Sequence, residues 1–249
     1  MISPSNLFFS KLPADFRAET DVELLLLREY GAVFTAQGGA TPPPKIVFAD
    51  EWEVSEFQES LEIKRAMIGG FELELQNAAM RALLAAIDTA GFEGLSISPR
   101  GQDSARRDYH GTVELWTSRV EPALEHWEKE GKLDSSDAEK IRALSPFEQV
   151  SKVLELERKG IWFAKDLSKS IIYSVAPPGT SQHLAMLAFD VKEFADARVR
   201  EILARYGWFQ TVVSDLPHFT YIGAEESELP KLGLKRVESG DQVFWVPDI

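Results

Sequence analysis

The chain has 249 residues, 44% of them hydrophobic with 15 Phe and 6 Trp, which supports a real core and excludes disorder, collagen-like repeats and disulfide-stapled miniature scaffolds. Its 27 Lys and Arg stand against 40 Asp and Glu, and the net charge of -13 repels a phosphate backbone, so nucleic acid is not expected as a partner. With no cysteine, disulfides, thiolate metal sites and cysteine nucleophiles are ruled out in any compartment.

The first residues, Met1 to Leu12, lack a basic segment followed by a long apolar one, and the longest apolar run nearby is Leu24–Leu27. Neither a signal peptide nor a membrane span is visible in them. Ala18–Tyr30 reads as a short helix stopped by Gly31, and Gly38-Gly39 to Pro42-Pro43-Pro44 punctuates the chain after it. Lys45–Phe48 is expected as a short strand. Phe71–Ala90 favours one long helix, with Leu75, Ala79, Leu83 and Ala86 on one face. Gly94–Ser98 reads as a strand running into the turn Pro99-Arg100-Gly101, which leaves Arg100 at a strand end. Ala105–Lys129 and Pro146–Lys159 predict a helical middle. In the last third, Leu184–Val191, Phe209–Val213, Phe219–Ile222 and Val243–Val246 read as strands, with a helix over Glu193–Tyr206. This is an α+β pattern, not a series of βαβ units.

Four histidines carry the chemical options. His110 and His126 fall in the long predicted helix and read as ordinary helix-face residues. His183 follows the turn-rich Pro177-Pro178-Gly179-Thr180-Ser181-Gln182, seven residues before Asp190; His218 follows Asp215-Leu216-Pro217. Two imidazoles and a carboxylate suit a catalytic Zn²⁺, because they leave a coordination position open, and a further carboxylate can serve as base. On that reading His183, Asp190 and His218 bind and Asp215 is the base. A bend must bring His183 and Asp190 together, since they lie at the two ends of one apolar run. The plainer alternative makes the acids loop caps and the histidines satisfied core or surface residues.

The stretch Ser181-Gln182-His183 to Ala188-Phe189-Asp190 resembles the Ser-x-His-(x)6-Asp motif of the zinc D-alanyl-D-alanine carboxypeptidases of the VanY type, a family that includes the L-alanyl-D-glutamate endolysins. Asp215-Leu216-Pro217-His218-Phe219 is similar to its second motif, and Ile97-Ser98-Pro99-Arg100 to its strand-end arginine. The resemblance spans roughly residues 71–222. It implies His183, Asp190 and His218 as zinc ligands, Asp215 as general base, and Ser181 and Arg100 against substrate. Two departures stand out: Met186 replaces the family's usual Gly, and Asp215 its more common Glu. Arg106 and Arg107 are alternatives to Arg100, although a predicted helix makes them solvated face residues. Trp208-Phe209 and Phe244-Trp245 read as core, with a cleft lining as the other option.

The implied fold is hedgehog/D-Ala-D-Ala-peptidase-like: a small antiparallel sheet with packed helices, extended by an N-terminal region and a helical insertion. Residues 1–70 are read as an extension packed on the main domain and residues 71–249 as the zinc peptidase-like domain. The implied activity is cleavage of peptidoglycan stem peptides in the cell envelope or periplasm, with D-alanyl-D-alanine carboxypeptidase favoured. An L-alanyl-D-glutamate endopeptidase and a non-catalytic peptidoglycan-binding module on the same fold are the alternatives.

Overall fold

Helices α1 (Pro4–Phe9), α2 (Asp21–Tyr30) and α3 (Glu51–Glu59) lead the chain in a computed structural model that describes residues 4–12, 16 and 18–249. Helix α2 starts where Thr20 Oγ1 accepts from the Glu23 amide and the Glu23 carboxylate accepts from the Thr20 amide, a reciprocal cap. Residues 45–48, expected as a strand, are irregular.

The hairpin of β1 (Ile63–Ile68) and β2 (Phe71–Gln76) follows, and then α4 (Asn77–Phe92). The single helix expected over Phe71–Ala90 is therefore half right. Phe71 to Gln76 alternates with period two, Leu73 and Leu75 inward and Glu72 and Glu74 outward, and that period outweighs its helix propensity. Gly69 and Gly70 turn the hairpin at φ +59 and +88, a pair of positive values that glycine adopts without strain. A Cβ on Gly69 would also lie 2.8 Å from the Pro99 ring.

Next come α5 (Tyr109–Lys129), α6 (Ser135–Arg142), α7 (Pro146–Glu157), β3 (Ala188–Asp190), α8 (Ala197–Arg205), β4 (Trp208–Gln210), β5 (His218–Tyr221), β6 (Leu234–Ser239) and β7 (Gln242–Pro247). Residues 94–98 form no strand, and the isolated bridge that follows them pairs Pro99 with Val191. The expected strand Leu184–Val191 is a 3-10 turn over Gln182–Ala185 followed by the short β3. Helix α5 begins at Tyr109 rather than Ala105, because Asp108 caps it by accepting from the Gly111 amide at 2.7 Å. Helix α8 likewise starts after its cap Asp196, while Glu193 instead accepts from the Ser98 amide and hydroxyl.

The sheets are small and antiparallel: a three-stranded one in the order β3-β5-β4 and the hairpins β1-β2 and β6-β7. Mixed helices and small antiparallel sheets make the fold α+β, as the sequence pattern implies. Two compact units divide it: residues 1–46, 56–107 and 182–249 form the first, and residues 47–55 and 108–181 the second. In the second unit Trp116, Val120, Leu124, Ile141 and Val153 form an apolar interior. There the buried Glu157 accepts from the amides of Phe163 and Ile171 and the Ser170 hydroxyl, satisfying a loop that no regular element pairs.

In the first unit one face of the three-stranded sheet presents Phe189, Trp208, Phe219 and Tyr221, all buried, with Trp208 edge-on to Phe189. Phe209, Phe244 and Trp245 are buried as well, so the aromatic pairs singled out in the sequence are core. At roughly 2 kcal/mol or more per fully buried aromatic, this layer holds the sheet flat against its apolar side. The opposite face is free to carry polar groups.

Candidate metal centre

That opposite face carries Ala188 and Asp190 of β3 and His218 and Thr220 of β5, because side chains alternate along a strand. The register sets Asp190 directly across from His218. Each strand end is pinned by backbone: the Arg100 amide donates to the Asp190 carbonyl at 3.2 Å and the Val191 amide to the Pro217 carbonyl at 2.8 Å.

His183 reaches the same place from the 3-10 turn. The bend that unites it with Asp190 is at Met186, which sits at φ +54 in the left-handed region and donates its amide to the His183 carbonyl at 3.1 Å. Gln76 pins this corner, its side chain donating to the Ala185 carbonyl at 2.8 Å and its amide to Met186 at 3.1 Å. Met186 is the position where the resembled motif has Gly, the residue that enters that conformation most cheaply.

The three side chains converge. Asp190 Oδ1 lies 3.2 Å from His218 Nδ1 and 3.3 Å from His183 Nε2, and one ligand atom from each residue falls within 4.8 Å of the others. The imidazoles stand edge to face with centroids 4.9 Å apart. Both histidines are buried, and the Asp190 side chain is 13% exposed.

Proton positions follow from the partners. His183 Nδ1 lies 2.7 Å from the Ala105 carbonyl, which only accepts, so Nδ1 carries the hydrogen and Nε2 the lone pair. That Nε2 is buried without a hydrogen bond. Burial, helped by the nearby Arg107 cation and opposed by Asp190, holds His183 below the ordinary histidine range, which favours the neutral ring. For Asp190, burial works to raise the carboxyl, yet its charged surroundings hold it well below the usual carboxylate range. The Arg107 guanidinium, donating to Oδ2 at 3.0 Å, favours the same ionised form. Asp190 thus divides its oxygens, Oδ2 toward Arg107 and Oδ1 toward two nitrogens.

This arrangement fits a metal ion. Neighbouring donors on a tetrahedral zinc stand about 3.3 Å apart, given bonds of about 2.0–2.2 Å, and the two contacts to Oδ1 match that edge. A proton on His218 would satisfy one contact and leave His183 Nε2 still without a partner. A divalent cation satisfies all three donors at once.

The other sequence candidates lie outside this cluster. Asp215 is exposed in the preceding turn, where its carbonyl accepts the His218 amide at 3.1 Å, and its side chain has no partner among the described residues. Arg100 is exposed and its guanidinium is likewise unpaired among the described residues. Ser181 is buried two residues before His183. Arg106 turns away to Gln58 and Glu74. His110 is exposed beside Glu114, and His126 packs edge-on to Trp127. Two residues gained here were not assigned from sequence. Arg107, expected on a helix face, precedes the helix and donates to Asp190; the cap residue Asp108 is the sequence signal for that boundary. Gln182, whose carbonyl oxygen lies 2.8 Å from His218 Nε2, carried no signal beyond its place beside His183.

No family model and no curated protein matches the chain. Among solved structures it is similar to the LdcB LD-carboxypeptidase, at 16% identity and a TM-score of 0.37 over 64% of each chain, so that it spans less than two thirds of that enzyme. It is also similar to the vancomycin-resistance D,D-pentapeptidase VanY with Zn(II), at 16% identity and a TM-score of 0.35, over 67% of this chain and 81% of that one. For VanYB in complex with D-alanine-D-alanine the identity is 14% and the TM-score 0.37, over 70% of this chain and 86% of the other.

Proposed function

We propose that the chain is a zinc-dependent peptidase that trims D-alanine from peptidoglycan stem peptides in the cell envelope. The observation that carries this reading is the convergence of three lone-pair donors, His183 Nε2, His218 Nδ1 and Asp190 Oδ1, with an orphaned buried nitrogen among them. The motif resemblance of Ser181 to Asp190 and Asp215 to His218 supplies the substrate class. His183, Asp190 and His218 hold the ion through nitrogen and oxygen alone, as a chain without cysteine requires. When bound, zinc supplies Lewis acidity that polarises a scissile carbonyl and eases deprotonation of water.

The remaining steps belong to the protein. Asp215, unpaired and three residues from His218, accepts a proton from the attacking water and returns it to the departing amine. Arg100, tethered by its backbone to Asp190 and otherwise unpaired, offers a guanidinium fork to the terminal carboxylate of the substrate. Ser181 contributes a hydroxyl toward substrate. Arg107 keeps Asp190 ionised and oriented. Among the described residues no helix is long and apolar enough to cross a membrane.

Incubation with a stem pentapeptide ending in D-Ala-D-Ala, followed by mass analysis, tests the reading. Release of free D-alanine is expected, abolished by amidation of the C-terminus and reduced in Arg100→Ala. Cleavage after L-alanine with an intact D-alanine end would transfer the chain to the endopeptidase alternative. Zinc binding without hydrolysis of any muropeptide would make it a binding module.

A further inference from the structure

The nitrogen of His218 that faces Asp190 is chosen by a hydrogen-bond circuit on the other side of the ring. Gln182, 2% exposed, donates Nε2–H to the Tyr30 carbonyl at 2.7 Å. A carbonyl only accepts, so the amide orientation is forced and Gln182 Oε1 is the atom 2.8 Å from His218 Nε2. Gln182 Nε2 also lies 3.3 Å from Thr211 Oγ1; Thr211 and Thr220 hydroxyls lie 2.6 Å apart; and Thr220 donates to Gln182 Oε1. One assignment satisfies every member: Gln182 donates to Thr211, Thr211 to Thr220, and Thr220 back to Gln182 Oε1. The second lone pair of Oε1 then requires a hydrogen on His218 Nε2. A lone pair there would face another lone pair inside a buried network and leave both unmet.

We infer that Gln182 is a positioning residue that fixes the Nε2–H tautomer of His218, so that Nδ1 is the nitrogen presented to the metal. The inference rests on the metal reading above for its consequence but not for its proton assignment. Across the site Ala105 imposes the opposite choice on His183, whose Nε2 is presented. The two histidines are set in complementary tautomers by a backbone carbonyl and a side-chain amide. Such outer partners fix ring orientation and raise ligand basicity, and their loss typically weakens metal binding about 10–100-fold.

The test uses the full chain with ¹⁵N-labelled histidine, stripped of metal, at a pH above the ordinary histidine range. Long-range ¹⁵N–¹H correlation spectra should show His218 as the Nε2–H tautomer and His183 as Nδ1–H. Gln182→Met, near in volume but with only a weak thioether acceptor, should give His218 a mixed or reversed tautomer and lower Zn²⁺ affinity about 10–100-fold in a chelator competition. Gln182→Glu, which keeps an acceptor, should restore the tautomer. A merely structural role would lower the melting temperature of Gln182→Met while leaving the tautomer unchanged, and that result would overturn the inference. So would an Nδ1–H tautomer of His218 in the parent, which decides the matter even if Gln182→Met fails to fold. A parent with the expected tautomers that binds no Zn²⁺ would uphold the proton assignment and refute the metal reading alone.

Discussion

Replacing Asp190 by asparagine probes the arrangement of lone pairs directly, because the two residues have nearly the same shape while an NH2 donor replaces one carboxylate oxygen and the charge is lost. In the parent, Oδ1 faces two nitrogens that carry no hydrogen toward it, at 3.2 and 3.3 Å, while Oδ2 accepts from Arg107. Asparagine can keep its oxygen on Arg107 and aim its amide hydrogens at His183 Nε2 and His218 Nδ1. The loss is the charge of a largely buried ion pair, about 2–4 kcal/mol with Arg107 18% exposed. The gain is about 1 kcal/mol for each of two new hydrogen bonds, plus about 1 kcal/mol or more from satisfying the orphaned nitrogen. The terms nearly cancel, so in a chelator Asp190→Asn should unfold within about 1–2 kcal/mol of the parent. Asp190→Ala has no such compensation: it strands Arg107 and both imidazoles and should lose about 3–5 kcal/mol. Added zinc at a hundredfold excess over its dissociation constant stabilises the parent by about 2.7 kcal/mol, roughly 5–10 °C for a chain of this size, and should leave Asp190→Asn unmoved. Thermal and urea unfolding with and without zinc read all of these. If Asp190→Asn in chelator is as unstable as Asp190→Ala, the nitrogens carry hydrogens toward the carboxylate and the metal argument fails.

Asp215→Ala should retain zinc and its melting temperature, since the side chain is exposed and unpaired, yet lose about 10²-fold or more in kcat; an unimpaired variant would remove Asp215 from the mechanism. Met186→Gly should relieve about 1–2 kcal/mol of left-handed strain but forfeit about 2–5 kcal/mol from a fully buried side chain, a net loss of stability in urea titration; a gain would mean that strain dominates. Glu157→Ala should destabilise by roughly 3 kcal/mol or more, leaving two amides and a hydroxyl without an acceptor. Burial raises the Glu157 carboxyl despite the hydrogen bonds it accepts, so its contribution is full below the unfolded value and falls as pH rises through the elevated folded one. The stability difference between the parent and Glu157→Gln should accordingly shrink from acid toward neutral pH.

The residues that converge were legible because each sits in a short local pattern, His183 after a turn-rich run and His218 after Asp215-Leu216-Pro217. Their convergence was not legible. It depends on the β3 to β5 register and on a non-glycine residue holding a positive φ at Met186, and neither leaves a trace in composition or period. The place of Arg107 turns on one boundary: a helix from Ala105 would make it a helix face, whereas the cap at Asp108 leaves it ahead of α5 and able to reach Asp190. The β1-β2 hairpin is hidden by the helix propensity of Phe71 to Ala90, although the alternation of Phe71 to Gln76 and the Gly69-Gly70 pair both signal it. The α+β class survived these errors because it rests on the order of elements, which no single boundary changes.

On the proposed reading, the divided use of Asp190 bears on how an anionic peptide would arrive. Were the proposed ion bound, Arg107 would face one oxygen of Asp190 and the ion the other, and the centre with Arg100, whose guanidinium is unpaired among the described residues, would be electropositive in a chain whose net charge is -13. On the proposed reading a carboxylate-ended peptide would meet the net negative charge at long range and the positive centre at close range, and salt, with a screening length of about 8 Å at physiological strength, damps the longer-range repulsion more. Moderate salt therefore lowers the outer barrier more than it weakens the inner well, and capture of anionic peptides quickens where ordinary electrostatic steering would slow.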